Sequence, residues 1–142
     1  MNNKVAIAAD HGGYILKAAI IEKFQDQYDF IDLGTNDADS VDYPDFAEKL
    51  ASALKAGDAP RGILVCGTGI GISIAANRHG DIRAANCTDT TMARLTRQHN
   101  DANVLALGER TVGSALAFDI VETFLTTEFE GGRHQRRIDK MS

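Results

Sequence analysis

Hydrophobic runs and amphipathic segments alternate along the chain in a regular order. The apolar runs have the length of buried strands, and a segment with helical periodicity follows each of them. In the first such segment, Leu16, Ile20 and Phe24 are four residues apart and therefore share one helix face. The pattern predicts strands at about 4–9, 29–33, 62–66, 82–87 and 103–107, and helices at about 14–27, 44–56, 69–78, 88–98 and 113–126.

This alternation is typical of an α/β fold in which helices cover both faces of one parallel sheet. We predict a three-layer sandwich with a five-stranded parallel sheet, Rossmann-like or flavodoxin-like, in a single domain over residues 1–142. The pattern does not determine the order of the strands. The longest apolar run is 5–9, so we expect no membrane-spanning helix, and the N-terminus does not resemble a signal peptide.

Composition and charge restrict the function. A chain of 142 residues with 44% hydrophobic residues can bury roughly 70% of its unfolded surface, which is enough for a stable core. The net charge of −5 disfavours broad binding to nucleic acid or to an anionic membrane. Two cysteines, Cys66 and Cys87, do not form a disulfide framework, and we expect a cytoplasmic protein.

The segment that follows the third strand is the most informative candidate site, because open parallel sheets bind ligands at the carboxyl ends of their strands. Glycine alternates at 67, 69 and 71, so the backbone can approach a ligand and direct amide N–H groups at an anion. The segment lacks the lysine of a Walker loop, the third glycine of a dinucleotide fingerprint and the arginine of a cysteine-dependent phosphatase loop.

Cys66 begins this segment at the end of its strand, next to the start of a helix. Nearby amides favour a reactive thiolate there, while a small buried hydrophobic residue is the ordinary alternative, and position alone leaves both open. Cys87 lacks the glycine loop, and we expect it to be structural. His11, directly after Asp10, lies at the same predicted edge and is a further candidate.

His99 presents a geometric problem, because it lies after a helix and before the fifth strand. It therefore belongs to the amino edge of the sheet, opposite Cys66, and a five-residue strand spans about 16 Å. Either His99 is structural, or a second subunit completes the site. Basic residues also cluster at 133–140, where a solvated tail is the simplest explanation. No spacing of histidine, cysteine and aspartate resembles a zinc site.

Taken together, these features resemble type B ribose-5-phosphate isomerases, in the family that also contains galactose- and allose-6-phosphate isomerases. The resemblance covers nearly the whole chain. The stretches that carry it are Ala9-Asp10-His11-Gly12-Gly13, Val41-Asp42-Tyr43-Pro44, Gly62 to Gly71, Ser73-Ile74-Ala75-Ala76-Asn77, Arg97-Gln98-His99-Asn100-Asp101, Asn103 to Gly108 and Glu130-Gly131-Gly132-Arg133-His134.

The resemblance implies a mechanism without metal or cofactor, in which an aldose and a ketose exchange by proton transfer through an enediolate. It implies that Cys66 is the base, that Thr68 assists it, and that His99 opens the sugar ring from the partner subunit. The substrate-binding residues that it implies are Asp10, His11, Tyr43, Gly67, Thr68, Gly69, Ile70, Gly71, Asn100, Arg110, Arg133, His134 and Arg137. The basic segment 128–142 then completes the site by holding the phosphate.

The expected reaction is the interconversion of ribose 5-phosphate and ribulose 5-phosphate in the pentose phosphate pathway, by a homodimer or a dimer of dimers. Two alternatives stay open. One is an allose- or galactose-6-phosphate isomerase with the same mechanism. The other is a non-catalytic sugar-phosphate sensor, which would keep the arginines but would not need Cys66. A redox thiol protein is disfavoured, because the chain has no Cys-x-x-Cys spacing.

Overall fold

The computed structural model describes residues 2–141 and confirms the predicted alternation of strands and helices. The strands are β1 (Lys4–Ala9), β2 (Asp29–Asp32), β3 (Arg61–Cys66), β4 (Ala84–Asn86) and β5 (Val104–Gly108). The helices are α1 (Tyr14–Phe24), α2 (Tyr43–Lys55), α3 (Ile70–Ala76), α4 (Thr90–Asn100), α5 (Ser114–Thr126) and α6 (Arg133–Asp139). Among these described residues, no helix has both the length and the apolar character of a membrane span.

The five strands form one parallel sheet in the order β2-β1-β3-β5-β4. The register pairs Ala9 with Val65 and Cys66 with Gly108, so β1, β3 and β5 end at the same edge. The structure thus confirms the parallel three-layer α/β fold. It also supplies the strand order, which depends on packing between distant segments and is not encoded in local periodicity.

Helices pack on both faces of the sheet and create two apolar layers. One layer joins α1, α4 and α5 to the sheet, and Leu16, Ile20 and Phe24 lie in it with no more than 4% of each residue exposed. The other layer joins α2 and α3 to the opposite face, around Leu50 and Ile72. The spacing of four in α1 therefore marks the buried face of that helix, as the sequence predicts.

Two predicted regions differ from the structure. The fourth strand is shorter than expected, because Ile82 donates its N–H to the carbonyl of His79 and the Arg83 N–H binds the Asn103 side chain. The C-terminal basic segment contains the helix α6, which the sequence analysis did not predict. This helix buries only His134 and Ile138, so its hydrophobic periodicity is too sparse to recognise. In contrast, α4 begins close to its predicted start, and Asp89 caps it by accepting the Met92 N–H at 2.7 Å.

A buried lysine connects α1 to the loop that follows β2. Lys17 is 1% exposed, and its ammonium group lies 2.8 Å from Asp32 Oδ1 and 2.7 Å from Asn36 Oδ1. The three donors of the ammonium group are satisfied by the two carboxylate oxygens and the amide oxygen. Because an unpaired buried charge is costly, this contact fixes the start of the loop against α1.

This arrangement predicts that the two partners of the ion pair are not equivalent. Asp32→Ala leaves the Lys17 ammonium buried with one neutral partner, and we expect a loss of about 3 kcal/mol in the free energy of unfolding. Lys17→Met leaves Asp32, whose side chain is 35% exposed and stays hydrated, so its loss should be smaller. Urea denaturation of both variants measures the difference. A larger loss for Lys17→Met would contradict this account of the pair.

Candidate active site

The loop after β3 holds the Cys66 side chain in a defined position. Cys66 is the last residue of β3, and its Sγ accepts the backbone N–H of Gly69 at 3.1 Å. Gly69 adopts φ 78°, in the left-handed region that favours glycine, and α3 begins at the next residue. Thr68 lies between them, and its Oγ1 accepts the N–H of Ile70 at 3.2 Å.

This loop packs closely against the ends of β4 and β5. A Cβ on Gly69 would collide with the Asn86 side chain, and a Cβ on Gly108 would lie 2.5 Å from the carbonyl carbon of Thr68. The backbone N–H groups of Glu109 and Arg110 donate to the carbonyl oxygens of Cys66 and Gly67, each at 2.9 Å. These contacts leave the loop little freedom to move relative to the sheet.

The loop after β1 lies beside the Cys66 loop. Asp10, 8% exposed, accepts the N–H of Gly12 at 2.9 Å, and a Cβ on Gly12 would lie 3.2 Å from the nitrogen of Gly67. His11 Nδ1 accepts the N–H of Val41 at 3.1 Å. A neutral His11 therefore carries its proton on Nε2, which is left to act as a donor.

Two further predicted residues border this edge. A Cβ on Gly71 would lie 2.9 Å from Cζ of Tyr43, so the tyrosine ring packs on the first turn of α3. Arg110 is exposed and lies beside Gly67. The structure thus brings together one group of the predicted residues at the carboxyl edge of the sheet, namely Asp10, His11, Tyr43, Cys66, Gly67, Thr68, Gly69, Ile70, Gly71 and Arg110.

The other predicted residues lie at the amino edge of the sheet. His99 and Asn100 are the last two residues of α4 and precede β5, and the Asn100 carbonyl accepts the Arg83 side chain just before β4. The His99 ring stacks on that of His134, with centroids 4.4 Å apart and an interplanar angle of 19°. The predicted residues of this second group are His99, Asn100, Arg133, His134 and Arg137. Within one chain, they are separated from Cys66 by the length of β3.

Glu130 belongs to this second group, although the sequence analysis gave it no role. Its Oε1 lies 3.5 Å from His134 Nε2 and 3.9 Å from His99 Nε2. The interval of four residues from Glu130 to His134 was the available signal. The donor atoms of His99, Glu130 and His134 lie within 4.8 Å of one another and could approach a metal ion. However, the two imidazole rings are nearly parallel, so the lone pairs of their nitrogen atoms do not point at a common centre. Both histidines could bind one metal ion only after one ring had rotated.

The main clefts do not enclose Cys66. A groove of about 930 Å³ runs beside α2, and a cleft of about 470 Å³ lies at the amino edge next to Asn100. We place the candidate chemistry at the Cys66 loop, because the thiol and the glycine-rich turn are there, and no cysteine lines either groove. The site in a single chain is therefore open on one side.

The second cysteine has a different environment. Cys87 is 1% exposed within the apolar layer beneath α4 and α5. Burial, together with the negative charge of Asp89, raises the pKa of the Cys87 thiol to about 12. The group is therefore a protonated, apolar side chain at neutral pH, as expected for a structural cysteine.

These features define an α/β protein with a thiol in an amide-lined loop at one sheet edge and histidines with arginines at the other. The family model described as Ribose/Galactose Isomerase matches residues 5–141. The putative sugar phosphate isomerase YwlF of Bacillus subtilis is 52% identical over 141 residues, which cover 98% of this chain and 95% of that protein. The chain belongs to the ribose/galactose isomerase family.

Solved structures agree with this assignment. A ribose-5-phosphate isomerase B from Clostridium thermocellum has a TM-score of 0.96 and 57% identity, over 97% of this chain and 94% of that one. The ribose-5-phosphate isomerase B of Mycoplasma genitalium, solved with bound ribulose 5-phosphate, has a TM-score of 0.92 and 45% identity, over 97% and 93% of the two chains.

The two thiols should react differently with iodoacetamide. At pH 8, a thiol with a pKa of about 12 is a thiolate in only about one molecule in 10⁴, and Cys87 is 1% exposed, against 5% for Cys66. We expect Cys66 to be alkylated first in the folded protein, and both cysteines to be alkylated at similar rates in urea. Peptide mass spectrometry measures both rates. Faster modification of Cys87 in the folded state would contradict the assignment.

Proposed function

We propose that this chain is an aldose–ketose isomerase that interconverts ribose 5-phosphate and ribulose 5-phosphate. The observation that carries the proposal is the Cys66 thiol, which is held by the Gly69 amide at the carboxyl edge of the sheet, in a chain of the ribose/galactose isomerase family. Moving a proton between adjacent carbons of an open-chain sugar needs a positioned base and donors for the developing oxyanion. The Cys66 loop supplies both.

In this mechanism, the Cys66 thiolate removes the proton from C2 of the open-chain aldose. The electron pair moves into an enediolate, whose negative oxygen is stabilised by backbone amides of 67–71 and by Thr68. The resulting thiol returns the proton to C1, and the hydroxyl proton moves from O2 to O1, which gives the ketose. Amides fixed by the packing around Gly69 and Gly108 need no reorganisation as charge develops.

Other groups bind the rest of the substrate. Asp10 and His11 Nε2 are placed beside the loop and bind sugar hydroxyls, and Tyr43 lines the pocket. Arginines suit a phosphate dianion because the guanidinium group can donate two parallel hydrogen bonds. We assign sugar and phosphate binding to Asn100, Arg110, Arg133, His134 and Arg137. The segment 128–142 thus completes the substrate site in a single-domain chain.

The separation of the two groups of residues, at opposite edges of the sheet, supports a homodimer with shared sites. His99 and Cys66 lie at opposite sheet edges, which are separated by about 16 Å along β3. A second copy of the chain can present its His99 to this Cys66, where it opens the sugar ring. Such a contact is supported by exposed apolar side chains on α3 and α4, the helices that flank β4. These side chains are Ile70, Ile74, Met92 and Leu95.

A pentose phosphate is the preferred substrate in this proposal. This preference for a pentose is supported by the relatives named ribose-5-phosphate isomerase B, one of which was solved with bound ribulose 5-phosphate. All the proposed groups also lie on one chain, which favours a self-sufficient homo-oligomer.

The first test is isomerisation by protein from which metals have been removed with a chelator. We expect higher catalytic efficiency on ribose 5-phosphate than on allose 6-phosphate or galactose 6-phosphate, because the pocket holds the shorter sugar between Cys66 and the phosphate-binding arginines. Cys66→Ala should lose turnover and keep substrate binding, whereas Cys87→Ala should stay active. A preference for a hexose would change the substrate, and inactivity of the folded protein on all three would favour a sensor.

Mixing two inactive variants tests the shared site. A heterodimer of Cys66→Ala and His99→Ala subunits contains one intact site, so random exchange should restore roughly a quarter of wild-type activity. A mixture of Cys66→Ala with the double variant contains no intact site and should stay inactive. If subunit exchange is demonstrated by mass spectrometry and activity does not return, His99 does not serve the partner's site.

A further inference from the structure

The His99 ring is supported by two groups whose arrangement goes beyond the proposed mechanism. The His99 side chain is 42% exposed and has room to rotate, but it stacks on His134, whose side chain is only 11% exposed. The Glu130 carboxylate lies next to Nε2 of both rings, at 3.9 Å and 3.5 Å. The partly exposed His99 ring thus has a buried ring against one face and a negative charge beside its Nε2.

The backbone that carries Glu130 is tied to the same helix end as His99. The Glu130 N–H donates to the carbonyl of Gln98 at 3.1 Å, and the Arg97 side chain donates to the carbonyl of Thr127 at 3.0 Å. Arg97 also binds the Ala102 carbonyl at 2.7 Å, which fixes it at the start of β5. The backbone of Glu130 therefore keeps its position relative to the last turn of α4, and the carboxylate starts from a fixed point beside His99.

We propose that Glu130 is a positioning residue for the ring-opening step, acting through His99. This inference rests on the proposed function. A carboxylate beside one imidazole nitrogen fixes the ring orientation and the nitrogen that carries the proton. The present distances exceed those of a hydrogen bond, and such contacts commonly shorten when substrate binds. Glu130 then selects the His99 orientation that faces the sugar ring of the partner's site.

Phosphate binding should not require Glu130. A carboxylate repels a phosphate dianion, while Arg133 and Arg137 attract it, so the negative charge of Glu130 opposes substrate affinity. Removing that charge should leave phosphate binding unchanged or tighter. A purely structural role would give the opposite result, since loosening the segment around Glu130 would weaken binding through His134 and α6.

The two directions of the reaction separate ring opening from proton transfer. Ribose 5-phosphate is mainly a closed furanose and must open before it reacts. Ribulose 5-phosphate is acyclic, because the hydroxyl that would close its five-membered ring carries the phosphate. A defect in ring opening therefore slows the reaction that starts from ribose 5-phosphate. It has less effect on the reaction that starts from ribulose 5-phosphate, because that reaction can release an open-chain aldose. A defect at Cys66 slows both directions.

The test compares Glu130→Gln with Glu122→Gln, an exposed glutamate on α5 whose side chain has no hydrogen bond or ion pair among the residues that the structure describes. For Glu130→Gln we expect a fall of at least about tenfold in kcat with ribose 5-phosphate and of less than about threefold with ribulose 5-phosphate. Inhibition by inorganic phosphate should stay equal or become stronger, and the melting temperature should not change. Glu122→Gln should match the wild type in every measurement.

The outcomes separate this inference from the proposed function. An active wild type with an unchanged Glu130→Gln variant overturns the positioning role alone. Equal losses in both directions, together with weaker phosphate inhibition, also overturn it and assign Glu130 to the structure of the segment. A wild-type protein that is inactive on both pentose phosphates overturns the proposed function, and the inference fails with it.

Discussion

The close backbone approach between the loop after β3 and the end of β5 is the constraint on which the candidate site depends. Parallel pairing places Cys66 beside Gly108, and the chain then turns so tightly that the Thr68 backbone leaves no space for a Cβ on Gly108. Gly69 meets the same restriction against the Asn86 side chain. Glycine at these two positions lets the Gly69 amide reach the Cys66 thiol, and the sheet holds the loop in place.

Much of this arrangement can be predicted from the sequence. Some of its features depend only on residues close together in the chain, and others are a consequence of parallel strand pairing. The spacing of Leu16, Ile20 and Phe24 marks a helix face, and strand ends in a parallel sheet share an edge. The same logic separates His99 from Cys66 before any coordinates are known. The family resemblance is confirmed by the match over residues 5–141, whereas the individual site roles stay predictions.

Other features required tertiary information. The strand order arises from packing between segments that are far apart in sequence. Helix α6 buries only His134 and Ile138, so its charged surface hides its periodicity. The contact of Glu130 with His99 joins residues 31 positions apart, and only its interval from His134 was visible in the sequence. A short helix and a side-chain cluster of this kind carry too few apolar positions to produce a pattern.

The two borders of the sheet bear on how copies of this chain can associate. The outermost strands, β2 and β4, have four and three residues, and β2 begins and ends with aspartate. Such borders offer few unpaired backbone groups to a neighbouring strand, and their charges resist close pairing. In the proposed homodimer, contact between copies is thereby left to the helices, and a contact between identical faces closes after two subunits instead of extending into a fibre. The proposed second subunit can in this way be recruited without polymerisation.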